Sequence, residues 1–308
     1  MKKIRLAVIG CGYLGRFHAL KYKEIDGVDL VSVCDLKKDI GLSLSKECNT
    51  EFCENYEDLK NKVDAVSIAT DTTTHYKITK FFLENSIHSL VEKPITSKSS
   101  EGKELIKIAK ENHVKLQVGH VERFNPAFIA IKEKLTNTKF IESHRLAPFK
   151  KRGCDVDVVH DLMIHDLDVI LSLVKSRPIN ISASGVKILT NSIDIANARI
   201  EFGNGTVVNT TASRVTKAMQ RKFRIFQDNQ YISIDFGERT IKLITSIGGN
   251  LEESSLAFEK SDALKEELSS FIFSIRNNTP CEVSGEDGVE ALKLAEKILD
   301  DITRSSKN

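Results

Sequence analysis

Over residues 1–120, short apolar runs alternate with amphipathic stretches of helical length. The apolar runs are nearly continuous, which is typical of parallel strands buried on both faces of a sheet. They cover residues 4–9, 30–34, 65–69, 89–91 and 116–118. The amphipathic stretches between them cover residues 13–23, 74–84 and 99–111. This strict alternation predicts an α/β domain with a doubly wound parallel sheet over residues 1–120.

After residue 119 the pattern changes, and segments of strand length become dominant. Two candidate helices come first, at residues 126–135 and 161–174. Candidate strands follow at residues 195–202, 207–212, 223–226, 231–235 and 240–245, and the Gly203-Asn-Gly205 turn predicts a hairpin between the first two. Final helices are expected at 265–276 and 286–302. We therefore predict a second, α+β domain over residues 121–308, with a mostly antiparallel open sheet.

Composition narrows the function mainly by exclusion. A chain of 308 residues suffices for about two domains. The 45 Lys and Arg residues against 43 Asp and Glu residues leave a net charge of +2, which argues against nucleic acid as a partner. The apolar runs fall short of the roughly 18 residues of a membrane span, so we expect no membrane partner either.

A cytoplasmic location is expected from two features. The start, Met1-Lys-Lys-Ile-Arg-Leu, runs directly into a predicted strand, without a separate apolar region or a cleavage site. The six cysteines are scattered and form no CxxC pair, which indicates reduced thiols instead of a disulfide framework or a zinc site.

A glycine-rich turn between the first strand and the first helix predicts a dinucleotide site. In Gly10-Cys-Gly12-Tyr-Leu-Gly15, the first glycine allows the tight turn, the second lets the backbone approach a pyrophosphate, and the third lets helix and strand pack closely. Asp35, at the end of the second strand, is placed to accept hydrogen bonds from a ribose and favours NAD. Lys37 and Lys38 leave NADP open as a less favoured cofactor, and a glycine turn that binds nothing is the alternative.

Two further strand ends carry candidate chemistry, because ligands of such sheets bind outside the carboxyl ends of the strands. Lys93, in Glu92-Lys93-Pro94, is placed where a nicotinamide and a substrate would meet. Thr70, Thr72 and His75 follow the strand at 65–69 and lie at the same edge. The alternatives are a solvated surface lysine and a simple helix N-cap by Thr72 or its neighbour.

The predicted helix at 161–174 carries a candidate general base. Asp161, His165, Asp168 and Ser172 are spaced to form one polar stripe on a largely apolar helix. A histidine that is flanked by carboxylates one turn away can be oriented for proton transfer near neutral pH. A solvent-facing stripe is an equally simple interpretation. A metal site with His160, Asp161 and His165 is less favoured, because no other His or Cys cluster completes the coordination, and we predict no metal.

Together these motifs resemble the Gfo/Idh/MocA family, the glucose-fructose oxidoreductase and inositol dehydrogenase group, along nearly the whole chain. The resemblance also rests on residues 119–126 and 283–288. It implies an NAD-binding Rossmann domain and a catalytic set of Lys93, Asp161 and His165. The cofactor contacts that it implies are Gly10, Gly12, Tyr13, Leu14, Gly15, Asp35, Thr70, Thr72, His75, Glu92 and Lys93. The family pattern has a glycine between the Asp and the His, where this chain has Met163, so the details of substrate contact do not carry over.

Within the family, residues 120–127, 145–149, 157–166 and 211–214 resemble the branch of UDP-N-acetylglucosamine 3-dehydrogenases, which implies a nucleotide sugar as substrate. Two segments, 145–152 and 214–224, contain Arg and Lys but no acid, which suits a diphosphate. Solvated basic loops are the alternative. The expected substrate contacts are Lys93, Arg123, Asn125, Arg152, His165 and Arg214.

The expected function is NAD-dependent oxidation of a sugar hydroxyl to a ketone, at the 3-hydroxyl of UDP-N-acetylglucosamine, for the synthesis of amino sugars. The alternatives are an NAD(P)-dependent dehydrogenase or reductase of another sugar, an inositol or a small ketone, and a non-catalytic, NAD-bound sensor. An exposed second-domain sheet would favour a homodimer or homotetramer.

Overall fold

The computed structural model describes residues 3–132, 134–149, 156–259 and 261–305. The chain divides into two compact units. The first contains residues 1–121 and 262–289, and the second contains residues 122–261 and 290–308. The sequence predicts a single boundary near residue 120. The structure also divides there. In addition, residues 262–289 belong to the first unit, because Leu268, Phe271 and Ile272 are buried in its core.

The first unit is built on a parallel sheet of six strands. The strands are β1 (Ile4–Ile9), β2 (Val28–Cys34), β3 (Glu51–Cys53), β4 (Ala65–Ile68), β5 (His88–Glu92) and β6 (Leu116–Gly119). The helices that follow β1, β2, β4 and β5 are α1 (Tyr13–Tyr22), α2 (Lys38–Cys48), α3 (Thr72–Glu84) and α4 (Ser99–Glu111). The strand order β3-β2-β1-β4-β5-β6 is that of a doubly wound, dinucleotide-binding sheet.

This arrangement confirms the predicted α/β Rossmann fold. The predicted strands agree with the observed ones to within two residues at each end, because most of their residues are buried. Two elements were not predicted, α2 and the three-residue strand β3. The second helix carries a mixed pattern of charged and small residues, and the strand β3 lies at the sheet edge, where a continuous apolar run is not needed.

The second unit contains an eight-stranded, mostly antiparallel sheet. Its strands are β7 (Thr138–Leu146), β8 (Pro178–Val186), β9 (Ile195–Phe202), β10 (Val207–Ser213), β11 (Gln220–Gln227), β12 (Gln230–Asp235), β13 (Thr240–Ile247) and β14 (Asn250–Ala257). The strand order is β14-β13-β12-β11-β7-β10-β9-β8, and the pair β7 and β10 is parallel. This sheet confirms the predicted α+β class of the second domain.

Helices cover one face of this sheet. They are α5 (Pro126–Lys132) and α6 (Ile164–Val174), with the later part of α8 (Gly285–Ser305). The apolar side chains of these helices pack with the inward positions of the strands, and the core includes Phe128, Leu167, Ile200, Phe223 and Ile298. The remaining helix, α7 (Ala263–Asn277), belongs to the first unit. No helix among the described residues is both long and apolar enough to cross a membrane.

Candidate functional site

The glycine turn of the first unit has the tight geometry that its sequence predicts. Gly10 has a φ of +91°, and a Cβ there would lie 2.6 Å from the carbonyl oxygen of Ala69. A Cβ at Gly15 would lie 1.8 Å from the carbonyl oxygen of Gly10, so α1 and the turn are in direct backbone contact. A Cβ at Gly12 would instead point into open space, where no described atom lies within 4 Å.

This geometry fits a dinucleotide. Gly12 immediately precedes α1 and has no side chain, so the start of the helix is open to a ligand, and the N-terminal end of a helix favours an anion. The next residues, Tyr13 and Leu14, form the first turn of α1, and Tyr13 is 63% exposed. These positions therefore match those that would hold the pyrophosphate of NAD.

Asp35 is tied to the glycine turn. One carboxylate oxygen accepts a hydrogen bond from the backbone N–H of Cys11 (2.7 Å), and the other accepts one from the N–H of Lys37 (2.7 Å). Each oxygen can accept a further hydrogen bond, because a carboxylate has about four acceptor positions. Asp35 is also partly exposed, so it can bind a ribose while it holds the turn in place.

The strand ends at β4 and β5 are linked by His75. Its Nδ1 lies 2.8 Å from the carbonyl oxygen of Pro94, and its Nε2 lies 3.0 Å from that of Thr70. Burial lowers the pKa of His75, so the ring is neutral at pH 7 and its single N–H donates to one of these carbonyl groups. His75 is 1% exposed, so it links the loop after β4 to the loop after β5 from a buried position. A direct contact of His75 with the cofactor stays a prediction.

The threonines beside His75 are more accessible. Thr70 is partly exposed, and its hydroxyl accepts a hydrogen bond from that of Thr74 (2.8 Å). Thr72 is the first residue of α3 and is also partly exposed. The N-cap position of α3 is Asp71, so the N-cap is neither Thr72 nor Thr73. The side chain of Asp71 makes no capping hydrogen bond.

Lys93 directly follows β5 and is partly exposed. The Lys93–Pro94 peptide bond is cis. Glu92, by contrast, is turned inward and is 7% exposed. Its carboxylate lies 3.0 Å from Nε2 of His18 and accepts a hydrogen bond from the backbone N–H of Lys93 (3.2 Å). His18 is a polar residue in the core of this unit that sequence reasoning did not single out.

In the second unit, Asp161 and His165 lie on either side of a change in helix type. Residues Val159–Met163 form a π-helical turn, and α6 begins at Ile164. The sequence predicts one regular helix, but the wider turn interrupts the predicted polar stripe. Such turns are frequent at functional sites. Asp161 and His165 are partly exposed, whereas Asp168 is 2% exposed.

Buried ion pairs hold the start of α6 in place. Arg145 on β7 donates to Asp166 (2.7 Å) and to Glu122 (3.0 Å), and all three are at most 5% exposed. Burial lowers the pKa of Arg145, but the two carboxylates outweigh that effect and raise it, so the guanidinium stays charged. Arg123 is 6% exposed and pairs with Asp168 (2.9 Å).

Three predicted substrate contacts are buried and bind other residues of the second unit, and their contact with substrate stays a prediction. Besides Arg123, Asn125 is 5% exposed and donates to Glu122 and to the carbonyl oxygen of Phe236, at 3.2 Å each. Arg214 is 4% exposed and binds Asp194 (3.3 Å) together with the carbonyl oxygen of Val156 (2.8 Å). Another predicted substrate contact, Arg152, lies outside the described residues.

The described arginines of the acid-free basic segments lie beside carboxylates from other parts of the chain. Besides Arg145 and Arg214, Arg224 pairs with Glu142 on the neighbouring strand (2.6 Å). Arg221 keeps 41% of its side chain exposed, and its guanidinium lies 3.8 Å from the Glu122 carboxylate. Among the three arginines of segment 214–224, Arg221 thus has the most exposed side chain. It also lies next to the buried ion pair of Glu122.

His160 is bound within its own turn. Its Nδ1 lies 2.8 Å from the carboxylate of Asp157, which also caps the turn by accepting hydrogen bonds from the backbone N–H groups of Val159 and His160. Among residues 3–132, 134–149, 156–259 and 261–305, no group of three or more His, Cys, Asp or Glu side chains is placed to hold a metal ion.

Two family models match the chain. Residues 4–120 match the oxidoreductase family with an NAD-binding Rossmann fold, and residues 143–233 match the GFO/IDH/MocA C-terminal domain.

Known proteins resemble the chain over almost its full length. UDP-N-acetylglucosamine 3-dehydrogenase from Acidithiobacillus ferrooxidans is 36% identical over 302 residues, which is 96% of each chain. A crystal form of that enzyme has a TM-score of 0.94 at 35% identity and 98% coverage of both chains. Myo-inositol 2-dehydrogenase from Thermotoga maritima is 25% identical over 94% of each chain. The scyllo-inositol dehydrogenase of Lactobacillus casei, solved with NAD(H) and scyllo-inositol, shares the fold at a TM-score of 0.84 and 19% identity, covering 99% of this chain and 98% of its own.

The glycine turn generates a paired prediction. Gly12→Ala should leave the free energy of unfolding within about 0.5 kcal/mol, because its Cβ meets open space. It should weaken NAD binding about tenfold or more, because the methyl group occupies the path of the pyrophosphate. Gly15→Ala, the matched variant, should destabilise the protein by about 2 kcal/mol, because its Cβ meets backbone. Urea unfolding and calorimetric titration with NAD measure both, and unchanged NAD binding by Gly12→Ala would contradict the placement.

The Asp194–Arg214 pair generates a pH-dependent prediction. Burial raises the pKa of Asp194, but hydrogen bonds from Thr190 and from the N–H groups of residues 188 and 189 outweigh it, so the pKa lies far below its ordinary value. A lowered pKa contributes stability above the unfolded-state value, about 3.9, and that contribution is lost as the pH falls further. Asp194→Asn should lower the free energy of unfolding by about 3 kcal/mol at pH 7, because Arg214 loses its charged partner.

This difference from the wild type should stay constant down to about pH 4 and shrink below it. Urea unfolding curves between pH 7 and pH 3 measure it. Asp300→Asn, at an exposed position of the same unit, is the control and should show no such difference. A difference for Asp194→Asn that does not change with pH would refute the assignment.

Proposed function

The chain belongs to the oxidoreductase family with an NAD-binding Rossmann fold and a GFO/IDH/MocA C-terminal domain, and we propose that it oxidises the 3-hydroxyl of UDP-N-acetylglucosamine with NAD. The observation that carries this proposal is the 36% identity, over 96% of both chains, to an enzyme of that name. The expected product is a 3-keto nucleotide sugar, a precursor for amino-sugar synthesis.

Three side chains are proposed to act on the substrate. NAD, when bound, accepts a hydride from the carbon that carries the hydroxyl. The imidazole of His165 removes the proton of that hydroxyl as general base. The ammonium group of Lys93 donates a hydrogen bond to the reacting oxygen and stabilises its developing negative charge. Asp161, four residues before His165, orients the imidazole or the substrate.

Asp35 supports NAD as the cofactor. Its carboxylate stands at the end of β2 and would repel the 2′-phosphate of NADP, while it can accept hydrogen bonds from the ribose hydroxyls of NAD. Lys37 and Lys38, both exposed, would partly offset this repulsion.

The diphosphate of the substrate needs cations. Arg214 is buried in an ion pair, so we propose that Arg221 takes the role that the sequence assigned to Arg214. A guanidinium can form two parallel hydrogen bonds with a phosphate, which suits this role. Arg152 remains a prediction, as do the cytoplasmic location and the homodimer or homotetramer.

Inositol oxidation is the second candidate function, favoured by the 25% identity to the Thermotoga maritima myo-inositol 2-dehydrogenase. The two functions separate in one assay of cofactor reduction. Purified protein is mixed with NAD or NADP and with UDP-N-acetylglucosamine, myo-inositol or scyllo-inositol, and a transaminase removes the keto product. The proposal expects NADH only with UDP-N-acetylglucosamine. Turnover of an inositol but not of UDP-N-acetylglucosamine would overturn the proposal and favour inositol oxidation. NAD binding without turnover of any of these substrates would favour a sensor.

Two substitutions test the catalytic roles. Lys93→Ala and His165→Ala should each lower kcat about 100-fold or more, because each removes a group that acts in the transition state. Affinity for NAD should stay within about threefold of the wild type, which fluorescence titration checks, because neither change disturbs the glycine turn. Lys103→Ala removes an exposed lysine on α4 and is the control, with unchanged kcat. Near-normal kcat in either test variant would remove that residue from the catalytic set.

A further inference from the structure

A chain of buried polar groups runs beneath Lys93 in the first unit. Ser67 on β4, His18 on α1 and Glu92 on β5 contribute its side chains. The hydroxyl of Ser67 lies 2.7 Å from Nδ1 of His18, and Nε2 of His18 lies 3.0 Å from the Glu92 carboxylate. Ser67 and His18 are fully buried, and Glu92 is 7% exposed. Side chains from β4 and α1 thus connect to Glu92, the residue before Lys93.

In these hydrogen bonds, each donor faces an acceptor. A carboxylate has no proton to donate, so Nε2–H of His18 must donate to Glu92. Nδ1 of His18 lies beside the Ser67 hydroxyl, which can either donate or accept a hydrogen bond. The second oxygen of Glu92 accepts the backbone N–H of Lys93 at 3.2 Å. Every one of these polar atoms is satisfied, which stabilises a buried network as a unit.

Glu92 has little freedom to leave this arrangement. A Cβ at Gly119 on β6 would lie 2.7 Å from one of its carboxylate oxygens, so the carboxylate lies directly against the neighbouring strand. It is therefore held between that backbone and the imidazole of His18. The Glu92 carboxylate therefore lies 7% exposed among its own side-chain and backbone neighbours, and its contact with a cofactor stays a prediction.

We infer that His18 and Glu92 are positioning residues that fix the backbone of Lys93 at the end of β5, so that its ammonium group meets the reacting oxygen. The inference rests on the proposed role of Lys93. A displacement of about 1 Å at a catalytic group can lower the rate about 100-fold, so a hydrogen bond to the Lys93 backbone has a direct kinetic consequence.

Three variants break this chain at defined atoms. Glu92→Gln replaces one acceptor oxygen with an NH2 group, so either His18 or the Lys93 N–H faces another donor. His18→Asn loses the donor at the Nε2 position, whereas His18→Gln supplies an amide N–H near that position. The conservative variant His18→Gln should therefore restore what His18→Asn loses.

The kinetic test uses the full-length protein saturated with NAD. Glu92→Gln and His18→Asn should each lower kcat about 10- to 100-fold, with the Kd for NAD within about threefold of the wild type. His18→Gln should recover most of the rate. The double variant should be no slower than the slower single variant, because the two residues act through one path. Multiplied losses in the double variant, a parallel loss of NAD affinity, or wild-type kcat in both single variants would each overturn the inference.

A matched control separates positioning from general stability. His88 lies at the opposite end of the same strand, and its Nδ1 accepts the backbone N–H of Lys115 (2.9 Å). His88→Leu removes this acceptor and should lower the unfolding midpoint while kcat of the folded protein stays unchanged. An equal loss of kcat in His88→Leu would show that any disturbance of β5 suffices, which would overturn a specific role for His18.

A second measurement does not depend on the substrate. The Lys93 N–H should exchange with deuterium faster in Glu92→Gln and His18→Asn than in the wild type, while exchange at residues 89–91 stays the same. Unchanged protection of Lys93 would overturn the inference. If the wild type oxidises none of the substrates, the proposed function fails, and this exchange measurement still decides whether His18 and Glu92 hold the Lys93 backbone.

Discussion

A charge that is removed from water must find an opposite charge, and this constraint organises the second unit. Arg145 lies at an inward position of β7, a central strand, and bridges Asp166 on α6 and Glu122. Loss of one member of a buried pair typically costs about 3–5 kcal/mol, so the pairs permit little rotation or sliding of the helix. His165 immediately precedes Asp166, so the ion pairs of Asp166 help to set the direction of its side chain.

The same constraint explains which strands the sequence revealed. In β7 the inward positions include Ser143 and Arg145, so the alternation of apolar and polar residues is absent from a strand at the centre of the sheet. Every residue of the edge strand β14 is exposed, and no burial pattern exists to detect. The strands β1, β4, β5 and β6 of the first unit are buried along almost their whole length, and they were visible because such burial leaves a continuous apolar run. The pattern of apolar and polar residues along the sequence therefore reveals strands that bury apolar side chains, and it does not reveal strands that bury paired charges.

Motifs predicted the position of site residues better than their orientation. Gly10, Gly12 and Gly15 lie at the predicted junction of β1 and α1, and Asp35 lies beside it at the end of β2, because their roles depend on backbone geometry that the spacing already encodes. Arg214 looked available because its segment contains no acid, but Asp194, on a neighbouring segment, pairs with it in the fold. His18 could have been noticed as a polar residue on the buried face of α1, three positions after Gly15, although its partners Ser67 and Glu92 are 49 and 74 residues away.

The order of synthesis gives the divided first unit a further significance. Its core includes Leu268, Phe271 and Ile272 from α7, while the second unit takes Leu294 and Ile298 from α8. On the ribosome, the parallel sheet is complete once residue 119 has emerged, but part of its apolar surface has no cover until more than 140 further residues have been made. The core of the first unit cannot close before α7 has left the exit tunnel, and the core of the second unit cannot close before α8 has followed it. The nascent chain thus carries two unfinished domains at once, and its final helices complete both.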